Sequence, residues 1–107
     1  MSKEVLGEFE HQVLLAVLRC GEGAYSVPLV LELEARTGRE VAAAAVYIAL
    51  RRLEEKDLAA SDLRAPEGGG RSRRYFTVTP RGVERLRESR RRFVSLWEGL
   101  DPLLDEG

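Results

Sequence analysis

The chain has 107 residues, of which 44% are hydrophobic and 33% charged, with one cysteine and a formal net charge of −1. A chain of this length forms one small domain, and a single cysteine excludes an internal disulfide and a cysteine-rich metal site. No apolar run reaches the roughly 20 residues of a membrane span and no signal-peptide pattern opens the sequence, so we expect a soluble cytoplasmic protein.

The first predicted helix spans Glu8 to Cys20 and is apolar on nearly all sides. Its main apolar face consists of Phe9, Val13, Ala16, Val17 and Cys20. Leu14, Leu15 and Leu18 lie on other faces, where so small a domain has too little core to cover them. We therefore expect Leu14 and Leu18 to pack against a second copy of the chain.

A second helix and a short turn follow. Ser26 is predicted as the N-cap of this helix, with Pro28 tolerated in its first turn, and Gly38 as the left-handed residue that ends it. Only residues 39–41 separate it from the next helix. Two helices joined by so short a turn predict a helix-turn-helix motif.

The third helix is predicted over residues 42–56. Val46, Leu50 and Leu53 recur at the spacing that places three apolar side chains on one stripe of a helix. Tyr47 and Arg51 fall one position further round, so a phenol and a guanidinium flank the buried stripe. This pattern suits the helix that enters the major groove of DNA.

A cationic hairpin is predicted next. Strands at about 58–64 and 73–78 flank a loop, APEGGGRS, that is flexible by composition. Its tip and base carry four arginines, Arg64, Arg71, Arg73 and Arg74. Ten arginines and only four acidic residues fall between positions 62 and 92, which gives this near-neutral chain a local positive field. A hairpin of this kind is the wing of a winged helix. The alternative for the cationic block is a solvated, arginine-rich helix face.

The last predicted helix begins with Thr79 as N-cap and Pro80 at its first position, and Pro102 should break it near residues 99–101. Its apolar residues have heptad spacing, with Arg90 in the middle: Val83, Leu86, Phe93, Trp97, Leu100 and Leu104. Such a seam predicts a two-fold dimer. The expected fold is mainly α with a small β-hairpin, a winged helix-turn-helix domain over 1–79 and a C-terminal dimerisation helix over 80–107. The predicted dimer contacts are Leu14, Leu18, Val83, Leu86, Arg90, Phe93, Trp97 and Leu100.

Four segments resemble the PadR family of bacterial winged-helix transcriptional regulators. They are LGEFE at 6–10, GAY at 23–25, AVYIALRRLEEK at 45–56 and RSRRYFTVTPRG at 71–82. The third and fourth segments at this separation are a strong signal, and the single C-terminal helix resembles the compact branch of the family.

The resemblance implies a homodimer that binds a palindromic operator in double-stranded DNA, usually as a repressor. The third helix would enter the major groove, with Tyr47 matching a phosphate contact of the family. Arg71, Arg73 and Arg74 match its basic wing. Some compact members bind planar aromatic compounds between their C-terminal helices on a tryptophan platform, and Trp97 lies in the equivalent helix. Packing in the dimer is the alternative role for Trp97.

The chain departs from the family pattern at the start of the third helix. Residues 42–45 are all alanine, where the family commonly has a Ser or Thr cap and then Gly. Ala43 and Ala44 would face DNA, and alanine can contact a thymine methyl group but cannot make bidentate hydrogen bonds to a base. Ser26 and Asp57 likewise replace common glycines. The expected specificity is therefore weak, or rests on the wing and on DNA shape.

Other functions are weighed against DNA binding. A winged helix can instead dock another protein, with the alanine-rich third helix as an apolar surface. An enzyme is disfavoured because no cluster of His, Asp or Glu accompanies a nucleophile. His11 has no second ligand for a metal, and no cofactor is expected. Cys20 fits a small core residue, with a redox switch as the alternative.

Overall fold

Four α-helices and a two-stranded hairpin make up the computed structural model, which describes residues 6–100 and Pro102. The elements in chain order are α1 (Glu8–Cys20), a 3-10 turn (Gly21–Gly23), α2 (Ser26–Thr37), α3 (Ala43–Glu55), β1 (Ala59–Arg64), β2 (Arg73–Val78) and α4 (Pro80–Trp97). This confirms the predicted fold class. The first strand begins one residue later than predicted.

The core lies where α1, α2 and α3 meet the base of the hairpin. The predicted stripe of α3 is buried, and Ala49 joins it. Phe76 extends the core from β2, since alternate residues of a strand point to the same side. The buried apolar side chains are Val13, Leu14, Ala16, Val17, Ala24, Leu29, Leu33, Val46, Ala49, Leu50, Leu53, Leu58, Ala59, Phe76 and Leu86.

Two residues predicted at a dimer contact lie in this core instead. Leu14 is fully buried and Leu86 is only 7% exposed within the single chain. The prediction that they meet a second copy is wrong, because α2, α3 and the hairpin cover α1 around Leu14, and Leu86 of α4 joins the same core cluster. Leu15 and Leu18 are about half exposed and stay available to a partner.

The predicted end of α2 and the predicted start of α4 are confirmed, whereas the predicted N-cap of α2 is wrong. Gly38 adopts the left-handed conformation with φ 71° and ends α2 as predicted. Thr79 caps α4, its Oγ accepting from the Gly82 amide at 2.9 Å. Ser26, however, is the first residue of α2 and not its N-cap. Tyr25 occupies the cap position without a side-chain hydrogen bond, so the first turn of α2 has no side-chain cap.

The hairpin is held to the helices at its base. β1 and β2 are antiparallel, with Ala59 opposite Val78 and Arg64 opposite Arg73. The Phe76 amide donates to the carbonyl oxygen of Ala24 at 2.8 Å, which joins β2 to the segment before α2. The wing and the start of α2 are therefore fixed next to each other.

The two halves of α4 lie in different surroundings. A Cβ on Gly82 would lie 2.1 Å from the carbonyl oxygen of Leu58, so the start of α4 packs directly on backbone. Every described side chain from position 90 to 100 is exposed. The helix ends at Trp97, before the predicted break, and Leu100 follows a turn at Gly99 (φ 81°) and does not continue the seam. Leu104 lies outside the described residues.

Candidate nucleic-acid interface

The outer face of α3 is exposed along its whole length. Ala43, Ala44, Tyr47, Ile48 and Arg51 lie on this face, opposite the buried stripe. Their spacing is that of one helical side, because residues three or four apart are neighbours on a helix. Four of the predicted DNA-binding residues thus share a surface that no other described element covers.

A hollow of about 210 Å³ lies beside this face, between α2, α3 and β2. Tyr47, Ser26, Arg73 and Arg74 contribute its polar groups, and Tyr25, Leu50 and Phe76 complete its walls. The first amides of a helix have no partner within the helix, and α2 has no side-chain cap to satisfy them. Hydroxyls, guanidiniums and a helix N-terminus together provide the donors and the positive field that a phosphate group requires.

A second, apolar hollow of about 160 Å³ adjoins the first. It is lined by Ser26, Val27, Val30, Leu31 and Ala43, and Ser26 lines both hollows. Val27 and Leu31 are more than half exposed although they lie on the helix that packs in the core. On the wing side of the start of α3 the hollow therefore carries hydroxyls and guanidiniums between apolar walls, whereas on the α2 side the hollow is almost entirely apolar.

Two arginines of the hairpin are stacked on tyrosine rings. The guanidinium of Arg73 lies 4.3 Å from the ring centre of Tyr25, and that of Arg64 lies 4.1 Å from the ring centre of Tyr75. The two rings meet edge to face with centres 5.4 Å apart. Each such cation–π pair contributes about 0.5–1 kcal/mol at an exposed site. Stacking orients both guanidiniums. Arg64 Nε also lies 3.4 Å from Asp62 Oδ2, whereas the Arg73 side chain makes no hydrogen bond or ion pair within the described residues.

A chain of polar contacts links α3 to the wing. Arg74 Nη1 donates to Ser61 Oγ at 3.0 Å, and Ser61 Oγ donates to Glu54 Oε2 at 2.5 Å. Glu54 Oε1 is buried without a hydrogen bond among the described residues, and Arg51 Nη1 lies 3.8 Å away. Because a buried carboxylate oxygen without a partner is costly, the nearby charge of Arg51 stabilises Glu54, and Ser61 connects Glu54 to Arg74. Arg74 is half-buried and is the least free of the three predicted wing arginines.

The structure thus unites most of the predicted DNA-binding residues. Tyr47, Arg73 and Arg74 line one hollow and Ala43 lines the next. Arg71 lies in the exposed loop and makes no hydrogen bond or ion pair within the part of the chain that the structure describes. Whether each residue contacts DNA stays a prediction.

Several residues of the same surface were not predicted. They are Tyr25, Ser26, Val27, Leu31 and Ile48. Tyr25 lies in the GAY segment and Tyr75 lies in β2, with α2, α3 and β1 between them in the chain, so the sequence gave no signal that the two rings meet. Val27 and Leu31 have the spacing of a helix face, which is equally typical of core residues.

The second exposed surface of the chain is the C-terminal half of α4. Its apolar side chains Phe93, Val94, Leu96 and Trp97 are exposed, as is Leu100 beyond the helix. The rings of Phe93 and Trp97 meet edge to face with centres 5.9 Å apart. Arg90 is exposed and makes no ion pair among the described residues. This run of apolar side chains is unusual on the surface of a single domain.

The histidine and the cysteine lie on α1. Burial lowers the pKa of His11. Burial, and then the charge of Glu32, raise the pKa of the Cys20 thiol, which favours its protonated and less reactive form. Within residues 6–100, no three His, Cys, Asp or Glu side chains are grouped as metal ligands, and no helix is long and apolar enough to cross a membrane.

Comparison with known proteins agrees with this geometry. Residues 14–88 match the transcriptional regulator PadR-like family. The fold is similar to that of a PadR-like transcriptional regulator from Bacillus cereus, with 25% sequence identity and a TM-score of 0.75 over 97% of this chain and 95% of that one. It is also similar to a PadR family transcriptional regulator from Eggerthella lenta, with 30% identity and a TM-score of 0.67 over 89% and 82% of the two chains.

A Streptococcus transcriptional regulator has the same fold, with 24% identity and a TM-score of 0.72 over 94% of this chain and 93% of that one. No curated protein matches the sequence at a significant level. The family match spans more than half of the chain, and the similar structures are regulators and not enzymes. The chain therefore belongs to the PadR-like family of transcriptional regulators.

Proposed function

We propose that this regulator is a cytoplasmic, homodimeric repressor that binds a palindromic operator in double-stranded DNA. The observation that carries the proposal is the hollow where Tyr47, Ser26 and the first turn of α2 meet Arg73 and Arg74. It lies beside the exposed face of α3, so a phosphate held there would bring α3 against the adjacent groove. α3 then enters the major groove and the wing follows the backbone.

The phosphate contacts divide between groups on regular elements and a group on the loop of the wing. Tyr47 and Arg73 belong to regular elements, and Arg73 is further oriented by its stack on Tyr25. Arg71 lies in the glycine-rich loop between the strands, where three consecutive glycines have positive φ. Arg71 therefore adapts to the backbone of the bound duplex, whereas Tyr47 and Arg73 set its position.

The exposed half of α4 supports the dimer. Phe93, Val94, Leu96 and Trp97 have no cover within the described chain, and burying them against a second copy removes apolar surface from water. Leu18 on α1 offers a further apolar contact, and Arg90 is free to hydrogen-bond across the dimer. A two-fold axis of this kind would place two copies of α3 on one side of a duplex, as a palindromic operator requires.

A small planar aromatic effector is a subordinate part of the proposal. Trp97 and Phe93 already form an aromatic pair on the dimer face, on which a planar molecule could stack. The competing role is dimer packing alone. Quenching of the single tryptophan's fluorescence by planar aromatic compounds, together with release of DNA, would favour the effector, and a varied panel without quenching would leave packing.

The proposal is tested by fluorescence anisotropy of a labelled duplex from the region upstream of the protein's own gene, compared with a scrambled duplex over a salt series. Affinity should fall with salt at a log–log slope of about −0.9 for each phosphate contacted. Arg71→Ala should reduce that slope by roughly one contact, without changing the preference between the two duplexes. Arg87→Ala is the control, because Arg87 is also an exposed arginine but lies on α4, where it pairs with Glu84.

The same experiment separates the two classes of function. Tight, salt-sensitive binding that Tyr47→Ala and Arg71→Ala weaken supports the regulator. Weak binding, insensitive to salt and to both substitutions, would contradict it. The alternative, a winged helix that docks another protein through the apolar part of its surface, would then be favoured.

A further inference from the structure

We propose that α3 and the start of α2 read thymine, through an apolar strip that contacts the C5 methyl groups of thymine in the major groove. The strip consists of Val27, Leu31, Ala43, Ala44 and Ile48. This inference rests on the proposed DNA-binding function and deepens it, because it names the base that the surface selects.

The strip is apolar throughout and carries no hydrogen-bonding side chain. Val27, Leu31 and Ala43 line the hollow of about 160 Å³, and Ala44 and Ile48 continue along the exposed side of α3 one turn apart. Val27, Leu31 and Ile48 are each more than half exposed, so their apolar surface meets water in the free protein. A selective partner for this strip must itself present apolar groups.

The four base pairs differ in what they present in the major groove. Guanine, cytosine and adenine offer polar atoms, whereas thymine also offers a methyl group. Apolar side chains placed on a polar edge would remove water from it without replacing its hydrogen bonds, which is unfavourable. Placed on a thymine, the same side chains bury a methyl group. The strip therefore selects thymine over the other bases through the cost of removing water from their polar edges. This selection compensates for the bidentate hydrogen bonds that alanine cannot make to a base.

Charge around the strip favours DNA over an apolar protein surface. Arg51 and Arg52 lie at the far end of α3, and both are exposed. Arg73 lies on the other side of Ser26, the residue that lines both hollows. An apolar centre with cations on its borders matches a major groove, where base edges lie between two phosphate backbones.

The test uses duplexes that differ only in the C5 methyl group. Labelled alternating d(AT) duplexes are compared with d(AU), and alternating d(GC) with its 5-methylcytosine form, in a salt series. The wild-type chain should bind the methylated member of each pair more tightly. Burial of one methyl group corresponds to about a fourfold change in affinity, so several contacts should give a larger ratio. The salt slope should be the same for both members of a pair.

Val27→Thr keeps the shape of the side chain but places a hydroxyl in the strip, so it should lower the methyl preference and leave the salt slope unchanged. Ile48→Thr should act in the same direction. Leu63→Thr is the control, because Leu63 lies on β1 outside the strip and the proposed dimer contact, and is 60% exposed where Val27 is 56% exposed. The variants also separate direct contact from DNA stiffness, because an effect of the methyl group on DNA shape would persist in Val27→Thr.

Equal affinity for methylated and unmethylated duplexes, with salt-sensitive binding to all, would overturn the thymine inference and leave the proposed function intact. A methyl preference that Val27→Thr and Ile48→Thr retain in full would overturn it as well. Absence of salt-sensitive binding to any duplex would remove the proposed function, and this inference with it.

Discussion

The two halves of α4 have the same spacing of apolar residues but opposite surroundings. Gly82 and Leu86 are buried against the base of the hairpin and the helical core, whereas all described side chains from position 90 to 100 are exposed. Heptad spacing thus identifies residues that share a helix face, but it does not identify what covers them. The first half should determine the stability of the single chain, and the second half should determine its assembly.

The largest expected effect is at Gly82. Gly82→Ala places a methyl group 2.1 Å from the carbonyl oxygen of Leu58, and neither backbone can move without shifting α4 from the hairpin. We expect the free energy of unfolding to fall by about 3 kcal/mol, the upper end of the usual cost of overpacking. Chemical denaturation at fixed protein concentration measures this change.

Gly23→Ala is the control, because a Cβ at Gly23 meets no atom within 4 Å. It should change the free energy of unfolding by no more than about 0.5 kcal/mol. Equal stabilities of the two variants would show that the start of α4 does not pack on Leu58 in solution.

A comparison of two leucines on α4 directly tests whether its first half stabilises the single chain and its second half does not. Leu86→Ala removes a buried side chain and should lower the free energy of unfolding by about 2–3 kcal/mol, at the lower end for buried leucines because the site lies near the surface. Leu96 is 73% exposed, and Leu96→Ala should have an effect below about 0.5 kcal/mol at concentrations where the chain is monomeric. Thermal unfolding at two protein concentrations measures both, since dimerisation makes the Tm concentration-dependent. A similar loss of unfolding free energy in both variants would show that the two halves of α4 contribute alike to the stability of the single chain.

The role of the exposed half of α4 is tested by measuring whether the chain forms a dimer. Phe93→Asp should convert the proposed dimer to a monomer without unfolding it, because a charge at the centre of an apolar contact is costly while the same charge in water is not. Sedimentation velocity measures the change in mass. Leu63→Asp is the control, since Leu63 is equally exposed but lies on β1. A wild-type chain that sediments as a monomer would contradict the dimer.

The elements themselves were predictable because local signals agree. The α3 stripe, Gly38 at the end of α2 and the Thr79–Pro80 start of α4 each combine apolar periodicity with a residue suited to a helix end. The fate of Leu14 was not predictable in the same way. An all-apolar helix leaves open which sides face the core and which face a partner, and only the packing of α2, α3 and the hairpin decides it.

The candidate site was predicted in its residues but not in its architecture. Tyr47 and the wing arginines follow from residue type and spacing, whereas the stacks of Arg73 on Tyr25 and Arg64 on Tyr75 depend on how β2 joins the segment before α2. The wrong prediction of Ser26 as the N-cap of α2 also depends on how β2 joins the segment before α2. A serine before a helix favours the cap position, but the tertiary hydrogen bond between Phe76 and Ala24 fixes the chain one residue differently.

The smallest of these effects concerns the cap that begins the buried half of α4. Thr79 Oγ accepts from the Gly82 amide at 2.9 Å and donates to the carbonyl oxygen of Asp57 at 2.7 Å, so one hydroxyl joins α4 to the turn after α3. Thr79→Ala should lower the free energy of unfolding by about 1 kcal/mol, the usual cost of a lost cap, which thermal unfolding would record as a Tm lower by about 4 °C. Thr79→Ser keeps the hydroxyl and should restore most of that loss. Because the cap lies far from the exposed half, the variant should leave the mass in sedimentation unchanged, and a parallel loss of dimer would mean that the two halves of α4 do not act separately.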